Sequence, residues 1–187
     1  VDQVKLRAWQ YVRRFNFERC NRYQTVAEHS ACVAALALDL ARMARMPAGK
    51  VGVVLEMALL HDAPEAVTGD LPYLVRRSLD PAAIKELDVR AEGELGIDLS
   101  APRDVIDVVS YADALELAMY LREERLSGNA SLLDIERETR GRLVEFRSDG
   151  APPHAPTDFF EYAVGLLGGW GEWAEVGIKG EHGGLKH

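Results

Sequence analysis

The stretch Val51-Gly-Val-Val-Leu-Glu-Met-Ala-Leu-Leu60, followed at once by His61-Asp62-Ala-Pro-Glu65-Ala-Val-Thr-Gly-Asp70-Leu-Pro72, decides how the chain is read. The first half is a buried helix by composition. The second half sets an imidazole and three carboxylates, His61, Asp62, Glu65 and Asp70, at the mouth of that helix. Charged groups are seldom buried without a partner, so acids in this position call for a counter-charge. A divalent metal supplies one, and adjacent nitrogen and oxygen donors suit Zn, Mn, Co, Ni or Fe better than Ca.

The totals bound what such a site can serve. With 187 residues, 48% apolar and 28% charged, the chain fits one globular domain with a substantial core. The net charge of −8 argues against a nucleic-acid polymer as partner, since that requires a broad basic face. A small phosphate ester stays compatible, because a metal and one or two arginines neutralise it locally. No uninterrupted apolar run approaches a membrane span. No targeting segment is legible at the start, so the expected compartment is cytoplasmic. Cys20 and Cys32 form no metal-type pair and no disulfide framework.

Outward from the opening stretch, periodicity predicts helices and no strands. Residues 3–14 carry apolar side chains at helical spacing, and 15–24 read as a polar loop. Thr25-Val-Ala-Glu28 is a capping box, which puts His29 in the first turn of a helix running to about Met46. Pro47 and Gly49 end that helix, and the next runs from about Ala48 to His61. Pro64, Gly69 and Pro72 break the chain, and Pro81 opens a helix over 81–95. Residues 103–126 form a further long helix, with Asp113 flanked by alanines in its apolar stripe. A helix over 130–147 reads as charged and peripheral. Residues 1–147 are taken as the domain. Residues 148–187 are taken as a linker over 148–157, a C-terminal helix from Asp158 to about Trp173 and a flexible tail packed on the same domain. The expected fold is an all-α bundle, and exposed apolar helix faces admit a homo-oligomer.

His29, His61, Asp62 and Asp113 thus sit at the edges of three apolar helices. Bundles build metal sites by projecting side chains inward from facing helices. Two imidazoles and two carboxylates would form a ligand set that leaves positions for water and substrate. Read singly, each has a plainer explanation, such as a capping-turn histidine or an aspartate paired with a buried base.

The joint pattern resembles the HD-domain metal-dependent phosphohydrolases. The likeness is carried by Ala-Glu28-His29-Ser30, His61-Asp62-Ala-Pro-Glu65, Thr68-Gly69-Asp70-Leu-Pro72 and Ala112-Asp113-Ala114, and covers about residues 5–145. Those motifs are similar to the bacterial 5′-deoxynucleotidase branch and to relatives acting on deoxynucleoside triphosphates. The resemblance implies an HD-domain helical bundle with His29, His61, Asp62 and Asp113 as metal ligands. It implies that Glu65 orients or deprotonates the attacking water, and that Asp70 assists or protonates the leaving oxygen. Arg14 matches an arginine that contacts substrate phosphate, and Arg76 stands where the family often has lysine. Phe15 departs from the family's usual Trp beside the deoxyribose, keeping an apolar wall but losing the indole N–H.

The resemblance implies three candidate functions. One is removal of phosphate from deoxynucleoside 5′-monophosphates; the second is triphosphohydrolysis of a dNTP such as dATP on the same site. The third is a non-catalytic regulatory HD module, which a missing ligand or a missing Glu65 would favour. No Walker loop and no Gly-x-Ser-x-Gly elbow is present, which argues against a P-loop kinase or a serine hydrolase.

Overall fold

The computed structural model describes residues 1–148 and 158–175. In chain order its helices are α1 (Gln3–Leu6), α2 (Val26–Met43), α3 (Ala48–Leu60), α4 (Glu65–Thr68), α5 (Tyr73–Ser78) and α6 (Pro81–Leu95). They continue with α7 (Arg103–Leu126), α8 (Leu133–Ser148), α9 (Asp158–Leu166) and α10 (Trp170–Glu175). Among the described residues the only β-type pairing is an isolated bridge between Arg13 and Thr25. The protein is an all-α bundle, as the periodicity predicts.

Local chemistry explains the boundaries. Thr25 accepts from the Glu28 N–H at 3.2 Å while the Glu28 carboxylate accepts from the Thr25 N–H at 2.8 Å, so the capping box is closed at both ends. This fixes where α2 begins and sets His29 in its first turn. Asp80 caps α6 through the Ala82 N–H, with Pro81 at the first helical position. Gly96 ends α6 in the left-handed region, φ +63°, where a side chain would be strained.

The helix expected over 3–14 is shorter. After α1 the chain runs through a 3-10 turn, Arg7–Gln10, and stops. Beyond it the backbone pairs elsewhere: Arg14 N–H donates to Gln24 O at 2.9 Å and Val26 N–H to Val12 O at 3.0 Å. These bonds satisfy the peptide groups that a longer helix would have used.

α2, α3 and α7 pack on one another around a single large core. In α7 the buried set Val105, Val108, Val109, Ala112, Leu115 and Ala118 recurs every three to four residues, the stripe of an inward-facing helix. α8 is not peripheral: it packs along α7, and Leu143, Glu136 and Arg140 are fully buried. Its charges mislead because they are paired inside the protein rather than solvated. Glu136 accepts from Arg140 at 2.7 Å and from Arg125 at 2.9 Å.

The last expected helix is two, α9 and α10, separated by Gly168 and Gly169 at φ +87° and +78°. Phe159, Phe160, Leu167 and Trp173 of this segment belong to the main core. Each large side chain so buried contributes ~1.5–3 kcal/mol, against a net stability of about 5–15 kcal/mol for a whole domain. The segment therefore completes the core. The expected linker beyond Ser148 and the expected flexible tail lie outside the described residues.

Candidate metal centre and substrate cavity

α2, the C-terminal end of α3 and the middle of α7 meet at one point, and each brings a metal-type side chain. One nitrogen of each of His29 and His61 and one oxygen of Asp113 lie within 4.8 Å of one another. Asp62 stands beside this group, its Oδ2 3.4 Å from both His29 Nε2 and His61 Nε2. Asp113 Oδ1 stands 3.1 Å from His29 Nε2 and 3.9 Å from His61 Nε2.

The tautomers are decided by the opposite ring nitrogens. His61 Nδ1–H donates to the Ala58 carbonyl at 2.8 Å. His29 Nδ1 lies 2.5 Å from Glu116 Oε2 and 2.7 Å from Arg14 Nη1. A guanidinium only donates, so both contacts cannot be hydrogen bonds of one Nδ1–H. The contact to Glu116 needs that proton, and Arg14 Nη1 instead donates to Gln24 Oε1 at 2.9 Å. Both Nε2 atoms are buried and turned towards Asp62 and Asp113. That of His61 has no hydrogen-bond partner, and that of His29 carries a proton held by Asp113 Oδ1 at 3.1 Å, the proton a cation would replace. Two such nitrogens facing two carboxylates fit a divalent cation, with Nδ1–H held by a carboxylate and a carbonyl as metal-ligating histidines require.

The electrostatics agree. Burial and Arg14 push the His29 pKa down, but Asp113 and Glu116 outweigh them and raise it to about 9. Burial opposes ionisation of Asp113, yet His29, His61 and Arg14 hold its carboxyl well below the usual range. Without a cation, protons and ion pairs occupy the place of a metal.

The cluster opens into a cavity of about 460 Å³. Asp62, Asp113, Glu65, Asp70, Arg14, Phe15 and Arg76 all line it. Glu65 Oε2 is buried and unpartnered. Burial, then Asp62 and Asp70, raise its pKa to about 9. Asp70 accepts from the Phe15 N–H at 2.9 Å and is also raised, chiefly by burial, against the pull of Arg14 and that N–H. Phe15 has φ +53°, a left-handed conformation uncommon for a bulky residue and typical of sites where geometry is enforced. Its ring stacks on Tyr120 with centroids 5.5 Å apart. Arg76 is exposed and lies 3.4 Å from Asp88.

The structure thus gathers every residue singled out from the sequence. It adds Glu116 and Gln24, which the sequence reading did not select. Glu116 follows Asp113 by three residues, so it shares its face of α7, and that spacing was the signal available. It also adds a cavity wall from α8: Ile135, Glu138, Thr139 and Arg142.

Helical fold, converging imidazoles and carboxylates, and an arginine-lined cavity define an HD-domain phosphohydrolase. The chain belongs to the YfbR-like 5′-deoxynucleotidase family, whose profile matches residues 4–102. A dATP triphosphohydrolase of Salmonella phage PMBT28 is 34% identical over 122 residues, covering 61% of this chain and 62% of that protein. The match therefore spans less than two thirds of that relative's length. Among solved structures, the cyanophage S-2L HD phosphohydrolase DatZ, bound to dA and one catalytic Zn²⁺ ion, superimposes with a TM-score of 0.69 at 18% identity. That alignment covers 87% of this chain and 93% of DatZ. The PH0347 protein of Pyrococcus horikoshii OT3 gives 0.70 at 20% identity, covering 87% and 96%. At these identities the likeness to both structures is one of fold.

Proposed function

We propose that the protein hydrolyses phosphate esters of deoxynucleotides in a metal-dependent reaction, with deoxynucleoside 5′-monophosphates as the first substrate class. The observation that carries this reading is the pair of buried Nε2 atoms facing Asp62 and Asp113, beside a cavity that also holds acids and arginines. His29, His61, Asp62 and Asp113 would hold the ion, which when bound supplies Lewis-acid stabilisation of a phosphate oxygen and a water of lowered pKa.

The other roles belong to the chain. Arg14, braced by Gln24 and Glu116, donates to phosphate oxygens, and Arg76, which lines the same cavity, does so beside it. Glu65 accepts the proton of the water that attacks phosphorus. Two of the causes that keep it protonated are its neighbours Asp62 and Asp70, so neutralising Asp62 with a cation favours the ionised form it needs. Asp70, biased towards its protonated form and aligned by the Phe15 N–H, gives a proton to the departing oxygen. The bond broken joins phosphorus to that oxygen, and no residue need become covalently attached.

A triphosphate substrate is the second reading, favoured by the relative described as a dATP triphosphohydrolase. Among the described residues no helix is long and apolar enough to cross a membrane. Val53 and Leu59 are exposed on α3 on either side of Glu56, and a homo-oligomer would cover them.

The test is chromatographic product analysis with dAMP and dATP, for the wild type and for Glu65→Gln. Deoxyadenosine and orthophosphate from dAMP support the first reading; deoxyadenosine and tripolyphosphate from dATP support the second. Glu65→Gln should keep its metal while turnover falls ~10²–10⁴-fold. No hydrolysis of either nucleotide by metal-loaded wild type would refute the enzymatic reading.

A further inference from the structure

α8 forms a side of the cavity that the proposed chemistry leaves unused. α7 and α8 run antiparallel, and two contacts fix their register. The Tyr111 and Phe146 rings meet at 5.5 Å, and Tyr120 and Leu121 pack with Leu132 at the other end. Arg142 stands one turn before Phe146, which brings its backbone level with the segment of α7 between Asp113 and Leu117. Asp113, Leu117 and Arg142 all line the same cavity. The guanidinium therefore belongs to the end of the cavity that holds the metal-type cluster.

The three arginines of the cavity differ in what already binds them. Arg14 is half-buried, with Nη1 on Gln24 and 3.5 Å from Glu116. Arg76 has a 3.4 Å contact with Asp88. Arg142 is exposed and, among the described residues, has neither a hydrogen bond nor an ion pair. A free planar fork of donors facing a cavity suits a phosphate oxyanion, which it can bind through two parallel hydrogen bonds.

The rest of α8 argues against a base contact. Ile135 joins Phe15 and Leu117 in an apolar wall packed on Tyr120 and Leu132. That wall suits a sugar or base, and its member on α8, Ile135, lies seven residues or about 10 Å from Arg142 along the axis. We propose that Arg142 binds the phosphate chain beyond the phosphorus that is attacked, so that it favours di- and triphosphates over monophosphates. The inference rests on the triphosphate reading of the proposed function and assigns a substrate-length determinant within it.

The experiment compares wild type, Arg142→Gln and Arg142→Lys with dAMP, dADP and dATP. It measures kcat/KM on metal-loaded protein and Kd by calorimetry on protein stripped with EDTA. For dATP, Arg142→Gln should lower kcat/KM and weaken binding about tenfold, as loss of a hydrogen bond to a charged group requires. For dAMP both should stay within about twofold, and Arg142→Lys, which keeps the charge, should fall between. Equal losses on dAMP and dATP, or no loss on either, would overturn the assignment. If metal-loaded wild type cleaves none of the three, the hydrolytic reading fails, and the dATP-to-dAMP ratio of Kd still decides for or against Arg142.

Discussion

Glu116 shows how one side chain can govern a site it does not enter. Its carboxylate takes the His29 Nδ1–H at 2.5 Å and the Gln24 amide at 2.6 Å, and stands 3.5 Å from Arg14. It therefore directs His29 Nε2 towards the cluster and braces the arginine proposed for phosphate. Glu116→Gln removes the charge that favours Nδ1–H and leaves Arg14 short of a counter-ion. Metal affinity should weaken by ~10–100-fold, the usual cost of losing such a supporting carboxylate. Competition against a chromogenic chelator measures it, and unchanged affinity would remove Glu116 from this role. Phe15 makes a separate prediction. If its ring walls off the sugar, a 2′-hydroxyl beside it stays unpaired, and ribonucleotides are the poorer substrates. Phe15→Ala should then lower the deoxyribo-to-ribo ratio of kcat/KM, while Phe15→Trp should preserve it. Because the Phe15 N–H also holds Asp70, a loss common to both sugars reports displaced Asp70, and only the ratio reports the wall.

At the scale of elements, legibility followed the local chemistry. The limits of α6 were written in Asp80-Pro81 and Gly96, and those of α7 in Pro102 and its apolar period, because caps and stripes are local signals. α8 was misjudged for the opposite reason. Glu136 and Arg140 look solvent-facing in sequence, and only the approach of Arg125 from α7 makes their burial tolerable. Glu116 was overlooked on the same ground, a charge whose partners lie about a hundred residues away. The four proposed ligands stand out in the sequence because an imidazole or acid among alanines and leucines has few cheap explanations. The α8 pairing has a measurable consequence. Glu136→Ala takes the carboxylate from Arg140, fully buried over the Trp173 ring, while Arg125 keeps Glu172, and should destabilise the fold by ~3–5 kcal/mol in urea denaturation. Joint replacement of Glu136 by Leu and Arg140 by Met removes the buried pair and should cost much less, since apolar groups of similar volume often replace such pairs at no loss. Equal destabilisation in both would mean that this part of α8 depends on shape alone.

For the whole molecule, the site stores a conflict between folding and charge that pH exposes. His29 has its pKa raised from 6.5 to about 9, and Glu65 from 4.5 to about 9. In both cases the folded protein holds a proton that the unfolded chain releases earlier. Between about pH 6.5 and 9 the folded state therefore binds more protons, and unfolding free energy must fall as pH rises. The His29 contribution is complete below its unfolded value and lost through the folded one; the Glu65 contribution has the same sign and begins to fall nearer pH 4.5. Metal-free protein should accordingly show a Tm that declines steadily from pH 6 to pH 9. Metal reverses the linkage, because bare imidazoles and carboxylates are what a cation binds, so its affinity grows as those protons leave. At saturating Zn²⁺ or Mn²⁺ the protein gains RT ln(1 + [L]/Kd), and that gain is larger at pH 8 than at pH 6. Calorimetric scans with and without metal should therefore diverge with rising pH. Parallel curves, with the same metal-induced shift at both pH values, would mean that the ion does not replace protons at His29, and that the cluster is a proton-held ion network rather than a metal centre.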